Sequence, residues 1–110
     1  MMSNNHTPDT EICLVLCDYG QLGLAYLEID PRKSSREETI SDIISGQICW
    51  PVRQIVAFNA AERWANDITE DVANVIYNRA IRKDLDLSST ARDLLAGYGL
   101  SLNNYLTAAE

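Results

Sequence analysis

A run of six apolar residues at positions 12–17, Ile-Cys-Leu-Val-Leu-Cys, constrains the fold of this 110-residue chain more than any other feature. Its length is typical of a strand, and Asp18 ends it. A strand that is apolar at every position usually lies inside a sheet with both of its faces buried. We therefore expect residues 12–17 to form a central strand.

Two further segments are predicted to join this strand in a sheet. Turn residues at 18–21 lead into a second strand at 22–29, so that the first two strands form a hairpin. Residues 51–58 have most of an alternating apolar face and are predicted as a third strand, which its leading proline places at an edge. The sheet is thus expected to have three strands and to be mainly antiparallel.

A helix between the second and third strands sets the expected strand order. Ser35 and Glu38 have the spacing of a capping box, and Gly46 is a natural C-terminal stop, so the helix is placed at about 36–45. If this helix crosses from the outer hairpin strand to the far side of the first strand, the order is 2-1-3.

The apolar period changes from that of a strand to that of a helix after Phe58. Asn59 and Glu62 again have capping-box spacing, which predicts a short helix through Trp64. A longer amphipathic helix is predicted to begin after Asp67 or Thr69.

The last predicted helix follows the capping residues Ser88 and Ser89, and we expect it to break at Gly97 and Gly99. The fold class is therefore α+β, with a crossover helix and a C-terminal set of two to three helices. We expect one domain over residues 1–110, with residues 1–10 and about 103–110 as flexible tails.

Composition and charge narrow the classes of function. The chain is 46% hydrophobic and carries a net charge of −7, which is divided almost evenly along its length. Its two small basic groups are interspersed with acids, so binding to nucleic acid is disfavoured, because that binding depends on concentrated Lys and Arg. The groups are Arg32, Lys33 and Arg36, and Arg79, Arg82 and Lys83.

Cysteine usage and the N-terminal sequence predict a cytoplasmic protein. Three cysteines, none of them in a CxxC pair, make a disulfide framework improbable and indicate a reducing compartment. Residues 1–11 have neither a cationic region nor an apolar run, and no stretch of about 20 apolar residues is present. We therefore expect neither a signal peptide nor a membrane span.

Catalytic chemistry finds little support in the sequence. The single histidine, His6, lies in the predicted N-terminal tail. Cys13 and Cys17 are expected to be buried small hydrophobes, and Cys49 is expected to be more exposed, so that a zinc site would lack ligands. We expect no metal or cofactor, and the sequence favours a protein that is not an enzyme.

Three hypotheses for function remain open. The first is a non-enzymatic binding or regulatory protein, with homodimerisation as one possibility, that acts through an apolar and aromatic surface near Trp50, Trp64 and the third strand. The second is a small enzyme or an anion or small-molecule binder at the junction of Phe58 and Asn59. Its residues would be Arg53, Asn59, Glu62 and Arg63 around a helix N-terminus. The third is binding of nucleic acid through Arg79, Arg82 and Lys83.

Several short motifs resemble a family of short uncharacterised bacterial proteins over about residues 12–80. These motifs are Tyr-Gly-Gln-Leu-Gly at 19–23, Glu28-x-Asp30, Gly46-Gln47, Pro-Val-Arg at 51–53, Ala-Phe-Asn-Ala-Ala-Glu-x-Trp at 57–64 and Asp-Ile-Thr-Glu-Asp at 67–71. The resemblance implies a freestanding bacterial protein. It brings no activity and no site residues with it.

Overall fold

The computed structural model describes residues 11–101, in which a four-stranded sheet is packed against three helices. In chain order the elements are β1 (Glu11–Asp18), β2 (Leu24–Tyr26), α1 (Arg36–Ser45), β3 (Val52–Asn59), β4 (Trp64–Asp67), α2 (Thr69–Lys83) and α3 (Ser89–Gly97). Short 3-10 turns at Gly20–Leu22 and Pro31–Lys33 complete the described part. The predicted tails, residues 1–10 and 103–110, lie outside it.

The strands are ordered β2-β1-β3-β4, and each neighbouring pair is antiparallel. This confirms the α+β class and the order 2-1-3 for the first three strands. The predicted number of strands was too small, because β4 lies beyond β3. Strand β3 is consequently an inner strand, and its predicted edge position is wrong.

The predicted short helix at 59–64 is a single turn that leads into β4. The Asn59 side-chain oxygen accepts from the Glu62 backbone N–H at 2.9 Å, as capping-box spacing requires, and the Arg63 N–H donates to the Asn59 carbonyl at 2.8 Å. Arg63 then takes a left-handed conformation with φ of 63°, which ends the helical turn and reverses the chain. The capping contact was predicted correctly, but no helix follows it.

The boundaries of α1 and α3 confirm the capping arguments, whereas the N-cap of α2 is Ile68, which has no side-chain cap. The Ser35 hydroxyl accepts from the Glu38 N–H at 3.1 Å, and α1 ends before Gly46, whose φ is 89°. The Ser88 hydroxyl caps α3 in the same way, by accepting from the Ala91 N–H at 3.1 Å. Helix α3 ends at Gly97, as predicted.

The hydrophobic core lies on one side of the sheet only. Cys13, Val15 and Cys17 of β1 are buried, whereas Leu14 between them is 37% exposed. The central place of β1 is confirmed, but the expected burial of both faces is wrong, because residues from all three helices join the core on the same face. No helix within residues 11–101 is both long enough and apolar enough to cross a membrane.

Strand β2 is shorter than the predicted 22–29 segment. Only Leu24–Tyr26 pair as a strand, and all three side chains are exposed. Residues 20–22 form a 3-10 turn instead, and Leu27 continues beside β1 through one hydrogen bond to the Val15 carbonyl. The hairpin is confirmed as a pairing, with a short edge strand.

Candidate functional site

The face of the sheet turned away from the helices is mainly apolar, and we call it the open face. In an antiparallel pair, directly opposed residues point to the same side of the sheet. The register sets Ile12 opposite Phe58, Leu14 opposite Val56, and Leu16 opposite Tyr26. By the same register the polar residues Asp18, Gln54 and Asp67 also lie on this side, and its apolar residues are Ile12, Leu14, Leu16, Leu24, Tyr26, Val56, Phe58 and Ala65.

These side chains remain substantially accessible. Leu14 is 37%, Leu24 58% and Tyr26 48% exposed, while Val56 and Phe58 are partly buried by their neighbours. Isolated exposed apolar residues are common on proteins, but contiguous ones usually mark an interaction surface. The open face has members on all four strands and is therefore a candidate interaction surface.

A groove of about 500 Å³ runs along one end of the open face, beside the β3–β4 turn. Its walls are Leu14, Val56, Phe58, Asn59, Ala60, Arg63, Trp64 and Ala65. The turn brings together four of the six residues that the sequence singled out, namely Asn59, Glu62, Arg63 and Trp64. Three of these line the groove directly.

Hydrogen bonds inside the turn occupy most of its polar groups. Asn59 is fully buried, and its side-chain oxygen accepts from Glu62 N–H. The Glu62 carboxylate accepts from the Trp64 ring N–H at 2.9 Å, and the Trp64 side chain, opposite Asn59 in the register, packs against the hydrophobic core. Arg63 is exposed, and within residues 11–101 its guanidinium makes no ion pair with an acidic side chain. The turn therefore offers an apolar wall with one cation at its rim.

The other two candidate residues, Trp50 and Arg53, lie at the opposite end of β3. Arg53 precedes Asn59 by six strand residues, a distance of roughly 20 Å. Its guanidinium pairs with Asp18 at 2.8 Å, and this bond, with a second from the Gly20 N–H, lowers the pKa of Asp18. Trp50 packs against Tyr19, with ring centroids 4.9 Å apart. The structure thus divides the predicted residues into two separate groups.

A second groove, of about 550 Å³, lies where the start of β3 meets the end of α3. Its polar lining residues are Arg53, Thr69, Asp93 and Tyr98. Sequence reasoning did not select Asp93 or Tyr98, because nothing in their local pattern places the end of α3 beside β3. Because the Arg53 guanidinium is already paired with Asp18, it is less available to bind an anion in this groove.

Elsewhere, Arg79 is ion-paired and two of the three cysteines are buried. Arg79 binds both carboxylate oxygens of Glu37, at 2.6 and 2.9 Å, and this pairing lowers the pKa of Glu37. Cys13 and Cys17 are buried, as predicted, and desolvation raises the pKa of both thiols. Cys49 is exposed. Across the described residues no three His, Cys, Asp or Glu side chains are grouped to hold a metal ion.

Asp67, at the end of β4, is an acidic group on the side of the open face, because the register sets it opposite Val56. Its carboxylate accepts from the Thr69 hydroxyl, from the Thr69 N–H at 2.9 Å and from the Gln54 side-chain amide at 2.9 Å. These hydrogen bonds lower the pKa of Asp67 and keep it ionised at neutral pH. Its side chain is exposed, so the charge remains accessible from outside.

Comparisons of this chain with protein-family models, with curated proteins and with solved structures found no significant match. The resemblance to short bacterial proteins therefore stays a prediction.

Sequence reasoning missed the open face as a site, although it identified the strands that form it. One signal was available: a strand that is apolar on both faces needs a covering layer on each side. The predicted crossover helix and the two to three C-terminal helices suffice for one such layer. One apolar face of the predicted sheet therefore lacks a covering layer.

Proposed function

We propose that this protein is a non-enzymatic binding protein that acts through protein–protein contacts, and that the open face is its contact surface. The observation that carries the proposal is the one-sided packing of the sheet. Strand β1 has apolar residues on both faces, but the helices of the described part cover only the face of Val15.

The size of the open face supports this proposal. Strands of three, eight, eight and four residues, spaced about 4.8 Å apart and rising about 3.3 Å per residue, give the sheet a footprint of roughly 360 Å². The largest apolar patches on monomeric proteins measure roughly 300–600 Å² and are often functional. At about 25 cal/mol per Å², covering this footprint contributes at most on the order of 9 kcal/mol before the entropic cost of association, because part of it is polar.

The aromatic surface expected near the third strand has a partial counterpart here. Phe58 lies on the open face, whereas Trp64 contributes to the groove wall but has its side chain packed against the core on the other side of the sheet. Trp50, at 44% exposure, lies at the far end of β3 and belongs to a different patch. The proposed surface is thus centred on Leu14 and Val56 rather than on Trp50.

The alternative function, an anion or small-molecule site at the Phe58–Asn59 junction, has less support from the geometry. It depended on a helix N-terminus at Asn59, where the chain instead makes one turn into β4. The Asn59 side-chain oxygen is bound within that turn, and Arg53 is at the other end of the strand. A ligand at this position would meet mainly apolar walls.

Site-specific photocrosslinking in the producing cell tests the proposal. A benzophenone amino acid is placed at position 14, and the matched control carries it at position 22, whose leucine is 89% exposed on the 3-10 turn. We expect crosslinked protein species at position 14 that disappear when Val56→Asp is added. Equal crosslinking at both positions, unaffected by Val56→Asp, would count against a binding surface on the open face.

A further inference from the structure

We infer that the occupant of the open face is a second copy of this chain, placed face to face by a two-fold axis. The inference rests on the proposed function and names its partner. The charges at the two ends of β4 and the small residue at the centre of that strand favour this occupant.

Strand β4 carries opposite charges at its two ends on the rim of the open face. Arg63 precedes the strand and lines the groove, and Asp67 ends it. The register sets Asp67 opposite Val56, which places its side chain on the same side of the sheet as Leu14. The two charged residues are four positions apart, a separation of roughly 13 Å along the strand.

A two-fold axis that runs between the facing sheets, across the strands, matches these charges. It lays β4 of one copy over β4 of the other in opposite directions, so that Arg63 of each copy faces Asp67 of the other. The midpoint of residues 63 and 67 is Ala65, which is exposed and has a small side chain that permits close approach. A two-fold interface repeats every contact, so the arrangement supplies two such ion pairs.

The area of the open face is sufficient only for a weak dimer. Two footprints of roughly 360 Å² bury roughly 720 Å² in total, which is below the roughly 1,000 Å² of a stable specific interface. Facing sheets pack about 10 Å apart with their strands inclined by about 30°, a geometry that apolar side chains of this size fill. A dimer of this size is expected to be transient and to exchange with monomer.

The acidity of the chain does not oppose this contact. Of the net charge of −7, little lies at the open face, because Asp67 is balanced by Arg63, and Asp18, at the end of β1, is paired with Arg53. Self-repulsion therefore acts mainly between surfaces that face away from each other in the dimer. At physiological salt, charges more than about 8 Å apart are largely screened.

The conformation of Arg63 adds a separate argument. Its φ of 63° is favoured by glycine and disfavoured by a long side chain. An arginine at this position lowers the stability of the turn relative to glycine and makes no ion pair with an acidic side chain among the described residues. In the proposed dimer, Asp67 of the second copy supplies this guanidinium with an ion-pair partner.

Sedimentation equilibrium of the full chain between about 1 and 500 µM tests the inference. We expect a weak monomer–dimer equilibrium, because the interface is smaller than that of a typical stable dimer. Leu14→Asp and Val56→Asp should each shift the protein to monomer over this range. The control Leu22→Asp adds the same charge away from the open face and should leave the equilibrium unchanged.

Charge variants at the rim test the predicted pairing itself. Arg63→Glu places two acids opposite each other and should weaken the dimer at least about tenfold, whereas Arg63→Lys should stay within about threefold of wild type. Arg63→Gln and Asp67→Asn remove one partner each, and the double variant should be no weaker than the weaker single variant. Circular dichroism and urea unfolding at low concentration verify that each variant is folded.

Two results would overturn the inference. One is a wild-type chain that stays monomeric over the whole concentration range. The other is a dimer that Leu14→Asp and Val56→Asp leave intact. In either case, photocrosslinks from position 14 to a different protein would still support the proposed function, so the two failures are distinguishable.

Discussion

Both faces of strand β1 carry apolar side chains, but the helices cover only one of them. Cys13, Val15 and Cys17 are buried under three helices, while Leu14 and its neighbours form an exposed apolar surface. Hydrophobicity along a strand therefore indicates which side chains leave water. It does not identify whether the cover comes from the same chain or from another molecule.

The largest expected effect comes from truncating the same residue type on each face. Val15→Ala removes two methyl groups from a fully buried site and should lower the free energy of unfolding by about 2 to 3 kcal/mol. Val56→Ala, at the partly exposed site, should cost less than about 1 kcal/mol in dilute protein. Urea unfolding at a concentration below dimerisation measures both, and equal losses would show that the two faces are equally buried in the monomer.

A second prediction concerns how the helical layer is joined to the covered face. The buried Thr69 hydroxyl accepts from the Ile55 backbone N–H at 2.8 Å and donates to Asp67, which ties the start of α2 to β3. Thr69→Val leaves that N–H unpaired and should cost about 2 kcal/mol. Thr69→Ser keeps the hydroxyl and is the control, so a Ser variant as unstable as the Val variant would contradict this role for the hydrogen bond.

A third prediction concerns the Ser88 hydroxyl, which caps α3 and binds it to α1 on the covered face of the sheet. The Ser88 hydroxyl accepts from the Ala91 N–H and donates to the Ile43 carbonyl in α1 at 2.6 Å. Ser88→Ala should lower the free energy of unfolding by about 1 kcal/mol, as the loss of a helix cap usually does. Ser89→Ala, one residue later and exposed, is the matched control and should change stability little.

The smallest predicted effect concerns the outer side of the helical layer. Arg79 lowers the pKa of Glu37, so the ion pair contributes stability above the ordinary pKa of a glutamate, and that stability is lost as the pH falls through the lowered value. Because Glu37 is exposed, Glu37→Gln should cost less than about 1 kcal/mol at pH 7.

Two measurements check this ion pair. The stability difference between wild type and Glu37→Gln should vanish in acid, where both forms are uncharged, and should shrink in high salt at neutral pH. Glu38→Gln supplies a matched control one residue along α1, in a carboxylate without an ion pair to Arg79. A difference that persists unchanged in acid would contradict an electrostatic origin.

Short sequence patterns predicted the helices α1 and α3, which cover one face of the sheet. The starts of two helices can be predicted from Ser35 with Glu38 and from Ser88. In each case the serine hydroxyl accepts a hydrogen bond from a backbone N–H only three residues away. Turn residues after Asp18 likewise predicted the β1–β2 pairing. These features depend on few residues, so the sequence contains them in readable form.

The β3–β4 hairpin and the candidate site were less accessible to sequence reasoning. Asn59 and Glu62 make the contact of a helix cap, and only the left-handed conformation of Arg63 turns the chain into a strand. Few sequence patterns predict a left-handed arginine, because the side chain does not favour it. The open face depends on where three separate helices pack, which no local pattern contains.

One face of the sheet is the core of the monomer, and we propose that the other is a contact surface between copies. The most direct test measures solvent exposure of assigned methyl groups by NMR, using a soluble paramagnetic probe, at about 10 and about 500 µM protein. We predict that the Leu14 and Val56 methyls lose exposure at the higher concentration, while Val15 stays protected and Leu22 stays exposed. Unchanged exposure of Leu14 and Val56 across this range would contradict the account.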